Sequence, residues 1–217
     1  MRKALLLLYL ISSSFIVSGQ VVSEQSVRLE FKGGVSLSNQ SVNTMGMAVK
    51  GTYMIGFHAG MLFNIDATDE FSIQPGVFYS NKGYQYNQAQ SIGTRTAPKP
   101  VMGKVQLNYI EAPVNAIYKL ELSRTTNAYF GAGGYAGYGL SGTYTMQGQK
   151  TDVAFAKAID GFQFKNYDYG VNGVLGSQIS EHVLIEANYS LGLNNLSLYQ
   201  GSTIHNRSIG LSIGYLF

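Results

Sequence analysis

The segment RSIGLSIGYLF, residues 207–217, decides the fold because its side chains alternate in character along its whole length. Side chains of a strand point alternately to its two faces, so one face here would be apolar and the other small and polar. The pattern therefore predicts a β-strand with one face against a nonpolar medium. That apolar face would carry Ile209, Leu211, Ile213, Tyr215 and Phe217.

Seven further segments repeat this alternation. In each, the apolar set would face lipid and the residues between would face a barrel interior. After the N-terminal segment no apolar run approaches the roughly 20 residues of a spanning helix, so a membrane protein of this sequence must be a closed barrel. The outward sets of the seven segments begin at Val27, Tyr53, Phe71, Val105, Ala128, Tyr167 and Val183.

The fourth of these segments changes phase. Its apolar set runs on odd numbers from Val105 to Tyr109 and continues on even numbers from Ala112. An extra residue in the strand would produce this change and would let Pro113 sit without donating a ladder hydrogen bond. The sequence therefore predicts a β-bulge at Ile110–Glu111.

The connections between the segments alternate in length. Short turns alternating with long loops are typical of bacterial outer-membrane barrels, which place turns in the periplasm and loops outside. The sequence therefore predicts an all-β fold, an eight-stranded antiparallel up-and-down transmembrane β-barrel. The predicted turns are 65–69, 121–127 and 179–182, and the predicted loops are 38–51, 81–104, 141–166 and 194–206.

The chain carries few charges, which separates a lipid-facing barrel from a soluble one. Asp, Glu, Lys and Arg make up 12% of the residues, about half of the usual share. A soluble secreted barrel remains an alternative, but its surface would need more charge to stay in solution. In a membrane barrel, six side chains are expected to pair across the lumen: Arg28, Glu30, Lys32, Glu70, Glu111 and Glu186.

The N-terminus has the layout of a secretory signal peptide. A basic start at Arg2 and Lys3 precedes an apolar run, and small residues end at Gly19. We expect residues 1–19 to be cleaved and residues 20–217 to form the barrel domain in the cell outer membrane. Cleavage leaves 13 basic and 12 acidic residues, and a nearly neutral chain predicts no nucleic-acid partner.

Several stretches resemble the porin-like, PorT-type outer-membrane β-barrel family. They are FSIQPGVFYSNKG at 71–83, LNYIEAP at 107–113 followed by Tyr118 and Lys119, and GAGGYAG at 131–137. The resemblance implies an eight-stranded barrel in the outer membrane of a Gram-negative bacterium. The family's name refers to protein secretion, but no residue of this sequence carries that role over.

The C-terminal strand also resembles the terminal signal that the barrel assembly machinery recognises. Main-chain pairing would supply affinity and alternate side chains specificity. The alternative is an ordinary last strand whose aromatic side chains join a membrane girdle. The residues of the predicted assembly signal are Ile209, Leu211, Ile213, Tyr215 and Phe217.

No motif predicts a catalytic, cofactor or metal site. His58, His182 and His205 lie on different segments without ligand spacing, and His58 would face the lumen. The glycine run 131–139 lacks the Lys-Ser/Thr ending of a phosphate loop. Glycines in barrel strands more often make room for a large neighbour, here Tyr129 or Tyr135.

We therefore predict a non-enzymatic structural, adhesive or partner-binding platform that acts through its extracellular loops, with outer-membrane lipid as its surroundings. Loop 141–166 is too apolar for a solvated loop, so it would extend the sheet or bind a surface partner. The alternatives are a narrow porin-like channel for small solutes and a lipid-modifying barrel enzyme. The apolar residues of the loop are Tyr144, Met146, Val153, Phe155, Ile159, Phe162 and Phe164.

Overall fold

The computed structural model describes residues 27–44, 46–49, 51–89, 100–123, 126–155 and 163–217. The predicted signal peptide, Ile159 and Phe162 lie outside these residues. The described part of the chain forms eleven strands: β1 (Val27–Thr44), β2 (Met47–Val49), β3 (Met54–Asp66), β4 (Phe71–Ala89), β5 (Pro100–Glu121), β6 (Asn127–Met146), β7 (Gln149–Phe155), β8 (Gln163–Phe164), β9 (Tyr167–Gln178), β10 (Val183–Gly192) and β11 (Ser202–Leu216).

Eight of these strands close into a ring in the order β1, β3, β4, β5, β6, β9, β10, β11. Every neighbouring pair in the ring is antiparallel. Strands β1 and β11 complete the ring over a ladder from Glu30↔Leu216 to Thr44↔Ser202. The ring confirms the predicted eight-stranded up-and-down barrel, in which closure gives backbone groups partners inside the protein.

The connections lie at two ends of the barrel, which we name the turn end and the loop end. At the turn end, strands are joined by the short segments 67–70, 122–126 and 179–182, as predicted. At the loop end, the predicted boundaries of 38–51, 81–104 and 141–166 are wrong because much of each predicted loop is paired strand. The outward-facing apolar residues end there while the pairing continues, because a strand beyond the membrane has no lipid against its outer face.

Three short strands lie outside the ring at the loop end. Strand β2 pairs with β1, β7 pairs with β6, and β8 runs parallel to β7 for two residues. The ends of β4, β5 and β6 continue at the loop end as one sheet with β7 and β8. We call this sheet the extension.

Side chains of the ring strands alternate between outside and inside as predicted, with one exception. Val105, Leu107 and Tyr109 are 0% exposed and face the interior, whereas the sequence pattern placed them outside. Alternation along β5 runs without interruption to Ile117. The phase change in the sequence therefore reflects a change in what the interior contains, from apolar to polar.

The predicted bulge at Ile110–Glu111 is also wrong, because the irregularity lies in the neighbouring strand β6. The register shifts between Asn108, which pairs with Ser141, and Tyr109, which pairs with Gly139. Leu140 and Ser141 are both exposed. The extra residue thus belongs to β6, where two successive side chains point outward.

Two apolar clusters fill the two ends of the interior. The turn-end cluster contains Ile117, Tyr129, Val174, Leu184 and Leu216. The cluster at the other end includes Tyr144, Val153, Phe155 and Phe164 of segment 141–166. The pairing of β7 with β6 confirms that this segment extends the sheet. This loop-end cluster contains Tyr84, Val105, Leu107, Tyr109, Val153, Phe164 and Leu196, with Tyr144 and Phe155 packed against it.

Candidate functional site

The outside of the ring is an apolar band. Ile213, at 66% exposed, shows the extent to which large apolar side chains lie open on this surface. Tyr53 and Phe63 mark the two edges of the band on β3. Ten residues of strand span roughly 33 Å, which at a tilt of about 40° gives the ~25 Å height of a membrane-facing band.

Aromatic side chains form a girdle at each edge of this band. Near the loop end, Phe57 stacks on Tyr79 with ring centroids 5.6 Å apart, and Tyr138 meets Tyr167 edge-on at 5.7 Å. At the turn end Phe31, Tyr215 and Phe217 form a second group, with centroid distances of 5.6 Å for Phe31–Phe217 and 4.8 Å for Tyr215–Phe217. Paired girdles are typical of barrels whose outer face meets lipid.

The five residues of the predicted assembly signal all lie on this outer face. Their strand, β11, is paired on one side with β1 and on the other with β10. The Phe217 N–H donates to the Leu29 carbonyl at 2.8 Å. In the closed barrel the strand has no free edge, and its two terminal aromatic side chains belong to the turn-end girdle.

A charged network crosses the half of the lumen nearer the turn end. The Lys32 ammonium lies 2.6 Å from Glu186 Oε2 and 3.2 Å from Glu30 Oε1. Asn64 Nδ2 donates to Glu30 Oε2 at 3.0 Å, and the Tyr129 hydroxyl donates to Glu186 Oε2 at 3.2 Å. The predicted pairing of Lys32 with Glu186 across the lumen is therefore present, whereas Glu30 contacts Lys32 along the same strand, β1. We call this group the lower network.

A second network, the upper network, lies nearer the loop end. Lys82 contacts Glu111 and lies 3.5 Å from Asp168 Oδ2, with its ammonium 4.3 Å from the centre of the Tyr135 ring. Asp168 Oδ2 also accepts hydrogen bonds from the Tyr135 hydroxyl at 3.1 Å and from Asn206 Nδ2 at 2.8 Å. Sequence reasoning missed Lys82 because its position fell in a predicted loop, and it identified Asp168 only as an inward residue.

The mouth at the turn end holds a third, smaller group. Arg28 Nη2 lies 3.2 Å from Asp66 Oδ2, and Lys119 contacts the other oxygen of the same carboxylate. Glu70, expected to pair across the lumen, instead lies exposed in the turn after β3 and accepts a hydrogen bond from the Tyr118 hydroxyl at 3.1 Å. That prediction is wrong because Glu70 precedes the first paired residue of β4.

A cavity of about 70 Å³ separates the lower and upper networks. His58 lines it, as the sequence predicts, and its Nε2 lies 2.7 Å from Ser212 Oγ. His182 is elsewhere, stacked on Tyr215 at the turn end with centroids 5.5 Å apart, and His205 lies in β11. The structure therefore brings none of the three histidines together.

Small residues opposite the lumenal tyrosines have the expected role. A Cβ at Gly176 would overlap Tyr129 Cζ, and one at Gly170 would lie 2.8 Å from Tyr135 Cε1. Contacts this short do not occur, so only glycine lets these two rings lie across the neighbouring strand β9. Glycines therefore make room for Tyr129 and Tyr135, but they lie in β9, so the assignment of this role to the run 131–139 is wrong.

The extension has its own packing above the loop-end girdle. The rings of Tyr86 and Tyr144 are stacked with centroids 6.5 Å apart, and their hydroxyl groups are in contact. The Tyr84 ring lies 6.0 Å from that of Tyr86. Burial, with a smaller contribution from Tyr144, raises the pKa of Tyr84 to about 12. The inner face of the extension therefore continues the packing of the loop-end cluster.

Comparisons with solved structures find several proteins to which the chain is similar. The chain is similar to Neisserial surface protein A (12% identity, 89% of this chain and 100% of that one, TM-score 0.48). It is also similar to OprG from Pseudomonas aeruginosa (11% identity, 91% of this chain and 99% of that one, TM-score 0.47). A third similar protein is the attachment invasion locus protein Ail of Yersinia pestis (13% identity, 88% of this chain and 99% of that one, TM-score 0.42). No curated protein matches the sequence.

Within the described residues, no helix is long and apolar enough to cross a membrane. A family model described as an outer membrane protein beta-barrel domain matches residues 20–198. This match spans most of the chain and covers seven of the eight ring strands, from β1 to β10. The chain therefore belongs to the outer membrane protein beta-barrel domain family, and it lies in the cell outer membrane.

Proposed function

We propose that the protein is a non-enzymatic, non-conducting platform whose barrel anchors the extension outside the cell, where the extension binds a surface partner. The observation that carries this proposal is the filled lumen. Two apolar clusters occupy its ends and two charged networks cross its middle. An interior filled by its own side chains is what a barrel of about eight strands favours.

The orientation follows from the rule that bacterial barrels keep short turns in the periplasm. The turn end then faces the periplasm, and the extension faces outward. Gln85 of β4 bridges Thr52, next to Tyr53 at the loop-end edge of the apolar band, and β4 continues for four residues beyond Gln85, roughly 13 Å of strand. The extension therefore rises above the lipid surface, within reach of another macromolecule.

The outer face of the extension is polar, which suits a reversible contact with a protein or a glycan. Lys104 pairs with Thr145, and Thr145 pairs with Lys150. The neighbouring row joins Thr143 to Asp152. Val153, Phe155 and Phe164 of segment 141–166 pack inward, whereas Met146 is exposed. We assign the partner contact to the polar face of the segment.

Binding by whole cells tests the platform role. Cells that display the protein should attach to a surface that carries the partner more strongly than cells that lack the protein. The double substitution Lys104→Glu and Lys150→Glu should weaken attachment because it reverses two charges on the outer face. Glu181→Lys at the exposed turn end is the matched control. Equal attachment by the double variant, the control and cells without the protein would contradict a platform role for this face.

The main alternative is a narrow porin-like channel for small solutes. Planar-bilayer recordings separate it from the platform, for which we expect no discrete conductance steps from the native chain. Phe164→Ala with Tyr109→Ala removes two large side chains of the loop-end cluster and serves as a positive comparison. Discrete steps from the native chain would favour the channel.

A lipid-modifying enzyme is supported less well. The close pair of His58 and Ser212 is the one arrangement among the described residues that resembles a base beside a nucleophile. Both side chains lie in the lumen, and His58 lines the cavity between the networks, where an acyl chain of the membrane has no route to them. Lipid A or phospholipid hydrolysis that Ser212→Ala abolishes would overturn this reasoning.

We also infer two finer points that rest on the sequence. The Tyr109–Pro113 element forms the middle of β5, and it supports membership of the PorT-type branch of the family. Ile209, Leu211, Ile213, Tyr215 and Phe217 support recognition by the barrel assembly machinery before the ring closes, while β11 still has free edges.

A further inference from the structure

The lumen contains more buried negative than positive charge. Each network joins one ammonium group to two carboxylates: Lys32 to Glu30 and Glu186, and Lys82 to Glu111 and Asp168. The six side chains are at most 12% exposed. Four carboxylates against two ammonium groups leave an excess of two negative charges in the two networks. The more exposed group at the mouth, with Arg28 and Lys119 on Asp66, carries one excess positive charge.

Uncompensated charge inside a protein is costly, and buried charges are normally paired or bound to metal ions. The cavity of about 70 Å³ lies between the two networks, with Glu186 and Lys32 on one side and Glu111 and Lys82 on the other. Its volume has room for about five water molecules at roughly 15 Å³ each. It is thus the place in the lumen where a counter-ion could be held.

Amide oxygens in the wall of this cavity point to the same kind of ligand. Asn115 is 6% exposed, lines the cavity, and its Oδ1 has no hydrogen-bond partner in the described part of the chain. Asn172 and Asn188 also line the cavity, and the buried Oδ1 atom of each likewise has no hydrogen-bond partner among the described residues. Buried acceptors of this kind need a donor, a water molecule or a cation.

Glycines on the neighbouring strands leave room for two of these amide groups. Gly133 pairs with Asn115 on one side and with Asn172 on the other. A Cβ at Gly133 would lie 2.5 Å from Asn115 Oδ1, and a Cβ at Gly210 would overlap Asn188 Oδ1. The amide groups therefore occupy space that side chains at these two positions would fill.

From this charge balance and this cavity, we infer that the lumen binds one partly hydrated divalent cation of the alkaline-earth class, Mg²⁺ or Ca²⁺. The available ligands are carboxylate, amide and hydroxyl oxygens, which such hard cations prefer. No three carboxylate or imidazole groups of the described residues converge to hold a bare ion. The ion therefore keeps part of its water shell and is held by Glu111, Glu186, the amide oxygens and bridging water.

Ion retention tests this inference. The barrel is refolded in a zwitterionic detergent without lipopolysaccharide, which binds divalent ions itself, in the presence of Mg²⁺ or Ca²⁺. It is then passed into chelator and analysed for metal. We expect about one ion per chain to survive, because the apolar clusters close both ends of the lumen and slow exchange. A native barrel that retains no ion under either condition overturns the inference.

Two variants and a control locate the ion. Glu111→Gln removes one excess charge without changing volume, and Lys82 keeps Asp168 as a partner. Asn115→Ala removes the unpartnered oxygen without changing any charge, and so remains informative if the first variant folds poorly. Each should lower metal affinity about tenfold to a hundredfold, whereas Glu121→Gln at the exposed end of β5 should not. Equal retention by all four proteins overturns the assignment to this cavity.

Refolding yield supplies a second readout. With chelator present throughout, the native chain should refold less completely than with Mg²⁺ or Ca²⁺, and Glu111→Gln should lose this dependence. The yield could instead be the same with and without divalent ions and rise as the pH falls. Protons rather than a metal ion would then balance the lumenal charge, and the inference would be wrong.

Discussion

Lys32 lies between Glu30 and Glu186 inside the barrel, and both carboxylates depend on it for neutralisation. We expect Lys32→Met to lower the free energy of unfolding by about 3 to 5 kcal/mol, because it leaves buried carboxylates without a positive partner. Urea titration of the barrel in lipid vesicles measures the change. Lys150→Met, on the exposed surface of β7, should have an effect within about 0.5 kcal/mol. Equal effects of the two substitutions would show that the lower network does not stabilise the barrel.

Gly176 lets the Tyr129 ring lie against strand β9. Gly176→Ala should destabilise the barrel by about 1 to 3 kcal/mol, because the new Cβ would overlap Tyr129 Cζ and the ring must move. Gly173 lies three residues away on the same strand, and a Cβ added there would meet no other atom within 4 Å, so Gly173→Ala is the matched control. Urea midpoints of the two variants provide the comparison, and a control that is as unstable as Gly176→Ala would refute the steric explanation.

At the scale of the element, strand β11 has one function in the finished barrel and a different one proposed for its assembly. Phe217→Ser should reduce the amount of protein in the outer membrane, because it removes the terminal aromatic side chain of the proposed signal. Folding of the purified chain into lipid vesicles should change little. Phe130→Ser, on another strand of the same outer face, is the control. Equal losses in cells and in vesicles would mean that Phe217 serves only the girdle.

How well an element could be predicted depended on whether one face of it meets lipid. Strand β3 alternates cleanly from Tyr53 to Phe63, so its position and both faces were predicted correctly. The faces of β5 were predicted wrongly because the apolar side chains of Val105, Leu107 and Tyr109 pack in the interior, in the loop-end cluster. The period-two signal reports a difference between two faces, and it loses its meaning where both faces are buried or both are wet.

The lumen shows the same limit at the level of side chains. The pairing of Lys32 with Glu186 could be predicted because both residues lie at inward positions of clear strands. The role of Lys82 in the lumen was not predicted because the predicted strand ended before this residue. The cavity could not be predicted at all, since Asn115, Asn172 and Asn188 come together only through the register of β5, β6, β9 and β10.

The whole molecule should behave as a closed barrel with a processed N-terminus. Unheated protein should migrate faster in a denaturing gel than boiled protein, because a closed barrel resists the detergent and remains compact. It should be recovered with the outer membrane, and its intact mass should correspond to a chain that begins at Gln20. Equal migration before and after boiling would contradict closure, and a mass that includes residues 1–19 would contradict the predicted cleavage.

The pairing of β1 with β11 has a consequence for the life of the chain before it reaches its membrane. Most contacts of the ring join neighbouring hairpins, but this seam joins residues such as Glu30 and Leu216, and it is available only after the last strand has been synthesised. Until then any sheet that the polypeptide forms has two unpaired edges, and intermediates of this kind tend to self-associate. We expect the unclosed chain to need protection from self-association until this seam forms.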